Sequence, residues 1–508
     1  MKINPLRVAL RADASPLIGF GHVKRCLSLA IALRELGFEP RLITRPLSAD
    51  SAGMARDAGV EVLLLPQPPA AAPQADPVPH AAWAGVNWRD DAAQTAAALA
   101  PWAPAWVVVD HYAFDTRWQR HVAGTCNTRI AVIDDLADRA LDGQLLLDQN
   151  LNANHREKYR GRWPADRTLL GGPRYALLGP AYAGLPPLAI RETVHSIGIF
   201  MGGADAAGLS GLALRACREV AGFVGPVEVV ATRAQTRFSE LTELARQWPG
   251  TDVLCDLTNL VGFFSRHDLQ IGAGGGATWE RCSIGAPTLV LPGAGNQQAV
   301  IPALVEDGAV AALDPCEPLN AASVGRAVRA LIDNPQRRRA LSERGRKLVD
   351  GVGATRVALT LAADTLALRR ANTEDAEPVF HWRNHPDTLR FFRDPRPFEL
   401  EAHCRWWERT LALPERRLFI AHIGRRDVGV LRLDLEGDAA EVSIYVDPAL
   451  PGLGLGRAML RAAQQLAAHG TSASVRLEAE ILSGNQASER AFGQAGFTAR
   501  GQRWVWEP

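Results

Sequence analysis

Two successive runs of short apolar segments alternating with helix-like stretches do most to fix what this chain can fold into. The first run comprises RVALRAD, EPRLITR, VEVLLLP, PAWVVVD, TRIAVIDDLA and GQLLLDQN. The second follows YALLGPAYAGLPPL and comprises VHSIGIFMGG, GPVEVVATR, TDVLCDL, HDLQIGAGGG and APTLVLPG, closing in charged helices near residue 365. Apolar strands punctuated by helices are the pattern of βα units feeding a parallel sheet. Two such halves predict a pair of Rossmann-type domains, 1–185 and 186–364, with ligands held at the carboxyl ends of the strands. The rhythm changes at LALRRANTEDAEPVFHWRN, so residues 365–508 are expected to form a separate α+β domain. The fold class expected is therefore α/β, with a third domain appended. The stretch PQPPAAAPQADPVPHAAW (66–83) is too rich in proline and alanine to build a core and is expected to be a surface excursion.

A length of 508 residues suits two or three domains with cores of their own. The chain carries 56 Lys plus Arg against 55 Asp plus Glu, a net charge of +1, so no long-range field favours nucleic acid or an anionic membrane. Any phosphate site must be local. The 7 cysteines are odd in number and form no CxxC pair, which fits reduced thiols better than a disulfide frame or a structural metal site. No metal is expected. No run of about 18 apolar residues offers a membrane span. These features predict a soluble, cytoplasmic protein.

The stretch IGFGHVKR places His22 directly behind a Gly-X-Gly turn. It fails as a dinucleotide fingerprint, because Lys24 stands where the last glycine belongs and Arg45 ends the second strand where an acidic residue is wanted. A histidine in the first turn of a helix feels the positive end of the macrodipole, which favours the neutral, proton-accepting ring. His22 can equally be a capping or packing residue on spacing alone. In the second half, Gly274, Gly275 and Gly276 let backbone approach a phosphate, with the N–H groups of Ala277 and Thr278 opening a helix toward it. Glu280 is placed to accept from ribose hydroxyls, and Gly202 and Gly203 of FMGGAD form a second glycine turn. Tight turns without a ligand are the alternative. Neither turn carries a P-loop lysine, which disfavours ATP hydrolysis.

RADASPLIGFGHVKRCLSLA, VVVDHYAFD, LDQNLNAN, YALLGPAY, FMGGAD and GAGGGATWE followed by GNQ stand in an order and spacing that resemble the UDP-sugar hydrolases of pseudaminic acid biosynthesis, relatives of MurG-like GT-B glycosyltransferases. The resemblance covers about residues 5–360. It implies hydrolysis of UDP-2,4-diacetamido-2,4,6-trideoxy-β-L-altropyranose to UDP and free sugar, with His22 as the catalytic base and inversion at the anomeric carbon. UDP is then expected on Gly202, Gly203, Gly275, Gly276, Ala277, Thr278 and Glu280, and sugar contacts on Asp13, Ser15, Tyr112 and Asn296, each of which could instead be a turn or cap residue. A glycosyltransferase would share this cleft, and the sequence alone leaves that alternative open.

Near the C-terminus, AEVSIYVDPALPGLGLGRAMLRAAQQLA reads as a strand, a loop with Gly452, Gly454 and Gly456, and an amphipathic helix whose first N–H groups suit a pyrophosphate. With VRLEAEILSGNQASERAFGQAGF downstream, it resembles the GNAT acetyltransferases. The resemblance implies acetyl-CoA as co-substrate, bound by Ile444, Tyr445, Val446, Gly452, Gly454, Gly456, Arg457, Asn485 and Phe492, with a splayed β-bulge strand over 442–446 receiving the pantetheine arm. The sequence departs from that family in two places. Pro451 stands where its loop signature has Gln or Arg, and Phe492 stands where many members have a proton-donating tyrosine, so Tyr445 or a water must serve. Glu441 and Glu480 are candidate bases for the amine. HWRN (381–384) and His403 resemble the N-terminal helices of the pathway's acetyltransferase, where Trp406 and Trp407 can also be plain packing.

The two resemblances imply consecutive steps, since the N-acetylated UDP-sugar is the hydrolase's substrate. Fusion would raise the local concentration of one activity near the other. The expected partners are UDP-sugars and acetyl-CoA, with neither nucleic acid nor membrane. A MurG-type glycosyltransferase joined to an acyltransferase, or a sugar-nucleotide-binding regulator with an inert acetyltransferase module, are the rival readings.

Overall fold

The computed structural model describes residues 5–47, 49–69, 76–233, 235–255, 257, 259–293, 300–392, 394–469, 475–501 and 503–508. The chain divides into two compact units, one formed by Arg7–Arg34 and Glu39–Thr355, the other chiefly by Arg356–Pro508. The larger unit holds two parallel sheets. The first contains β1 (Arg7–Arg11), β2 (Glu39–Thr44), β3 (Glu61–Leu64), β4 (Trp106–Val109), β5 (Arg129–Ile133), β6 (Leu145–Asp148) and β7 (Thr168–Gly171) in the order β3-β2-β1-β4-β5-β6-β7. Strands such as WVVV and LLLD are buried along their whole length, as a parallel sheet covered on both faces requires. The second sheet contains β8 (Ile197–Phe200), β9 (Val227–Ala231), β10 (Thr251–Cys255), β11 (Leu269–Ala273), β12 (Thr288–Leu291) and β13 (Ala311–Ala312) in the order β10-β9-β8-β11-β12-β13.

Both orders reverse direction at one point, between β1 and β4 in the first sheet and between β8 and β11 in the second. In open α/β sheets this reversal leaves a crevice beyond the carboxyl ends of the two strands. The residues that follow those four strands are Ala12–Asp13, Asp110–Tyr112, Met201–Gly203 and Gly274–Gly276, so both glycine turns and the segment before His22 share this position. The excursion 66–83 is more than surface: Asp76 accepts from Arg117 at 2.7 Å, and the rings of His80 and Trp83 each lie 5.7 Å from Tyr112. Aromatic packing draws its second half onto the site.

The smaller unit holds one mixed sheet of β14 (Ala367–Arg370), β15 (Arg416–Ile423), β16 (Arg426–Glu436), β17 (Ala439–Val446), β18 (Arg476–Glu480), β19 (Thr498–Arg500) and β20 (Arg503–Trp506), in the order β14-β15-β16-β17-β18-β20-β19. β17 pairs with β16 from Ala439 to Val446, but with β18 only from Ala439 to Glu441. The sheet therefore opens beside residues 442–446. The bulge expected there is absent: the β16–β17 register runs without a shift, and the sheet's irregularity falls between Ala421 and His422 of β15. The opening arises from loss of the β18 partner, not from an inserted residue. Among the described residues no helix is long and apolar enough to cross a membrane.

Candidate functional site

His22 is the second residue of helix Gly21–Glu35, whose buried face carries Val23, Cys26, Leu27, Ala30 and Leu33 at helical spacing. That packing fixes the ring over the β1–β4 crevice. Its Nδ1 lies 2.6 Å from Oδ1 of Asp110, the residue that follows β4. Arg25, one turn along the helix, donates through Nε and Nη2 to both oxygens of the same carboxylate. Burial opposes charge on Asp110, but Arg25 and then His22 outweigh it and hold the carboxyl well below the ordinary range. A carboxylate only accepts, so Nδ1 carries the proton and Nε2 presents a lone pair in the neutral ring. Tyr112 stacks edge-on against His22 at 4.7 Å between ring centres, and its hydroxyl donates to Asp135. Asn150 donates to the other oxygen of Asp135 at 3.1 Å.

The other expected sugar contacts are placed differently. Asp13 is fully buried, and its carboxylate takes two bonds from Arg11 (2.5 and 2.8 Å) and one from the backbone N–H of Arg45 (2.7 Å). Thr44 donates to it at 3.2 Å and His111 lies 3.3 Å away. With its oxygens so occupied, Asp13 ties β1 to its neighbours and presents nothing to a sugar. Arg11 and Arg45 share a second buried carboxylate, Asp91, which also accepts from Trp118. Ser15 is a turn residue, its hydroxyl accepting from the N–H of Ile18 at 3.1 Å. Asn296 lies outside the described residues, as do Gln297 and Gln298.

In the second half, Gly202 has φ +91, a left-handed conformation that favours glycine, and the carbonyls of Gly202 and Gly203 accept from Gln235 at 3.1 and 3.2 Å. A Cβ on Gly203 would meet Phe20, from the loop ahead of His22, at 3.5 Å. Helix Ala277–Ile284 starts at the end of the β11 turn. Thr278 departs from expectation: its N–H donates to the carbonyl of Gly275 at 2.9 Å and its buried hydroxyl to that of Ala273 at 3.2 Å. Both donors are consumed in the turn, so the backbone approach to an anion falls to Gly275, Gly276 and Ala277. A Cβ on Gly276 would meet none of the described residues within 4 Å. Glu280 is hydrogen-bonded to the Tyr182 hydroxyl, while its Oε2 is enclosed without a partner. Burial pushes its carboxyl up, against Lys24, Tyr182 and Arg281, which favour the charge.

In the smaller unit, Ser443, Ile444, Tyr445 and Val446 are all half-exposed along the sheet opening. Gly452 and Gly454 have φ +77 and +74, which only glycine adopts without strain, and they turn the chain into helix Leu455–His469. Gly456 admits close packing, a Cβ there lying 3.8 Å from Ile444 and 3.7 Å from Ala491. Arg457 is exposed on the first turn of that helix. Pro451 thus sits in a loop whose shape its glycines set. Asn485 caps helix Gln486–Gln494 by accepting from the N–H of Ser488 at 3.1 Å.

Phe492 is 3% exposed and packs edge-on against Phe497 at 4.9 Å, with Trp504 beyond. It is the buried residue of helix Gln486–Gln494. Glu441 is exposed at the last β17–β18 pair, and Glu480 stands opposite Arg503. Trp407 is fully buried with its N–H on the carbonyl of Asn372, which settles it as packing, whereas Trp406 is half-buried. His403 is buried between Trp406, Trp407 and Phe380. Sequence reasoning missed Asp110, Arg25 and Asp135 in the larger unit. It also missed that Arg383 of HWRN stacks on Phe392 and acts with Arg432 on Tyr445, leaving an enclosed Nη1 without a partner.

Residues 365–498 match the acetyltransferase (GNAT) domain family. The acetyltransferase PseH of Campylobacter jejuni is 26% identical over 84 residues, 16% of this chain; the match covers about half (53%) of that relative's length. Among solved structures, the glycotransferase of kitacinnamycin is 18% identical, with a TM-score of 0.50 over 70% of this chain and 97% of that one. MurG of Acinetobacter baumannii is 15% identical, with a TM-score of 0.47 over 70% and 98%. The chain thus joins a pair of parallel-sheet, Rossmann-like domains with the fold of GT-B glycosyltransferases to a C-terminal GNAT domain.

Proposed function

We propose that the chain is a bifunctional sugar-nucleotide enzyme. Its GNAT domain N-acetylates the 4-amino group of a UDP-aminosugar with acetyl-CoA. Its two Rossmann-like domains hydrolyse the product, UDP-2,4-diacetamido-2,4,6-trideoxy-β-L-altropyranose, to UDP and free sugar. The observation that carries the hydrolytic reading is the His22–Asp110 pair, held by Arg25 at the β1–β4 crevice with Nε2 left for substrate. Water attacks the anomeric carbon, passing its proton to Nε2 as the C–O bond to the diphosphate breaks, and UDP leaves with inversion. Open backbone at Gly275, Gly276 and Ala277 receives the departing diphosphate, and Glu280 Oε2 a ribose hydroxyl.

In the GNAT domain the opened strand offers the backbone of Ile444–Val446 to the pantetheine arm, and the turn Gly452–Gly456 with Arg457 receives the pyrophosphate. Tyr445 is the tyrosine at the opening and the candidate proton donor to the departing thiolate. The guanidinium groups of Arg383 and Arg432 beside it suit a phosphorylated acceptor.

The test is NMR of a UDP-4-amino-sugar incubated with acetyl-CoA and the whole protein. Wild type should yield UDP and the free diacetamido sugar; His22→Ala should stop at the acetylated UDP-sugar. A wild type that acetylates but releases no UDP in water favours a glycosyltransferase with a sugar acceptor. Binding of acetyl-CoA without turnover favours a regulatory protein.

A further inference from the structure

Arg281 is one of the largest fully enclosed side chains of the molecule, at 1% exposure, and no ion pair joins it to a carboxylate among the described residues. Its Nη2 donates to the carbonyl of Ala273 at 2.8 Å and to the hydroxyl of Thr278 at 3.1 Å, the residues on either side of the Gly274–Gly276 turn. Its Nε and Nη1 have no hydrogen-bond partner. Phe264 lies 5.8 Å from the guanidinium, and a Cβ on Gly272 would collide with Nη1, so Gly272 is the residue that makes room for it.

A buried cation that forms no direct ion pair is costly, and removal from water pulls this guanidinium down to about 10 even though Cys282, Glu280 and Tyr182 favour its charge. The other fully enclosed arginines differ. Arg11 and Arg45 are paired with Asp13 and Asp91, and Arg338 caps four backbone carbonyls. Arg281 alone of these four lies directly behind a glycine turn, at whose Gly276 a Cβ would meet none of the described residues within 4 Å. An anion on the outer side of that turn would complete its charge balance across a thin, low-dielectric layer of backbone.

We propose that Arg281 is a diphosphate-binding determinant that acts through the glycine turn without touching the ligand, holding the nucleotide's negative charge from behind while the N–H groups of Gly275, Gly276 and Ala277 contact it. The inference rests on the nucleotide-sugar reading above and names one residue's part in it. Arg281 is a positioning residue in this account. It shapes the turn through Ala273 and Thr278 and charges it through the guanidinium.

Calorimetric titration of the full chain with UDP and with uridine separates these effects, because uridine lacks the diphosphate. Arg281→Gln keeps an amide donor for the Ala273 carbonyl and loses the charge. It should weaken UDP by about ten- to a hundredfold, the size of a charge–charge term across several ångströms at intermediate dielectric, and leave uridine unchanged. Arg281→Lys, which keeps the charge, should recover most of the UDP affinity. Equal losses for UDP and uridine, or a Gln variant that binds UDP like the parent, overturns the inference. A parent that binds neither compound overturns the nucleotide reading itself, which is a separate result. Where Gln does not fold, a Lys variant with parental uridine affinity and no preference for UDP overturns the inference, and one that retains the preference supports it.

Discussion

The carboxylate of Asp110 is shared, His22 Nδ1 lying 2.6 Å from one oxygen while Arg25 grips both. It fixes both the tautomer and the aim of the imidazole. Asp110→Asn puts an amide where a pure acceptor stood, so the ring can turn over and present the wrong nitrogen. General-base catalysis is worth about 10²–10⁴-fold, and kcat for UDP release should fall by that order with KM little changed. Adding His22→Ala to Asp110→Asn should cost little more, because the two act as a unit. A parental rate in Asp110→Asn, measured by UDP release, removes the dyad from the mechanism.

The buried network of Arg11, Asp13, Asp91 and Arg45 governs acid stability. The carboxyls of Asp13 and Asp91 are opposed by burial but held below the ordinary range chiefly by Arg11. Their folded values lie below the unfolded value of about 3.9, so their contribution is present above that pH and lost as pH falls toward the folded values. Urea midpoints should fall steeply on acidification from about pH 5 to pH 3. Asp91→Ala leaves the enclosed Arg45 guanidinium without a carboxylate, while Arg11 keeps Asp13, and should cost about 3–5 kcal/mol at pH 7, with a flatter acid slope. An unchanged midpoint at pH 7 would show the network to be neutral.

Much of this architecture was legible because parallel strands covered on both faces are continuously apolar, and because left-handed turns such as Gly202, Gly452 and Gly454 leave a visible glycine. His22 was legible from its place behind a turn. Its partner was not: Asp110 is 88 residues away, and only the adjacency of β1 and β4 brings the two together. The resemblance implies a sugar contact at Asp13, at the end of the first strand. Nothing local reveals that Arg11, two residues earlier, folds back onto it. The sheet opening at Tyr445 comes from where β18 ceases to pair, a property of two strands that neither sequence contains.

The same geometry separates two aromatic residues of the GNAT domain. Tyr445 stands half-exposed where β17 has lost its partner, and burial of its hydroxyl pushes it up, so it keeps its proton at neutral pH despite Arg383 and Arg432. Phe492 is enclosed by Phe497 and Trp504. Tyr445→Phe should lower CoA release by about 10²–10⁴-fold if its hydroxyl protonates the thiolate. Phe492→Tyr should give no gain in rate, since the new hydroxyl is buried in apolar packing and costs stability instead. A faster Phe492→Tyr enzyme in a thiol-release assay would reverse these assignments.

Glu280 supplies the last contrast. Tyr182 holds the carboxyl, while Oε2 is enclosed and unpartnered beside the glycine turn. An enclosed acceptor without a donor costs free energy that a ribose hydroxyl would recover, and a hydrogen bond to a charged group contributes about 1.5–3 kcal/mol. Glu280→Ala should therefore weaken UDP by roughly ten- to a hundredfold. UDP lacking both ribose hydroxyls should bind parent and variant alike, because it has nothing to offer Oε2. If the variant loses affinity for both ligands equally, Glu280 supports the turn rather than the ribose. Such a result would move nucleoside recognition away from the first turn of helix Ala277–Ile284 while leaving the diphosphate contacts proposed at Gly275 and Gly276 untouched.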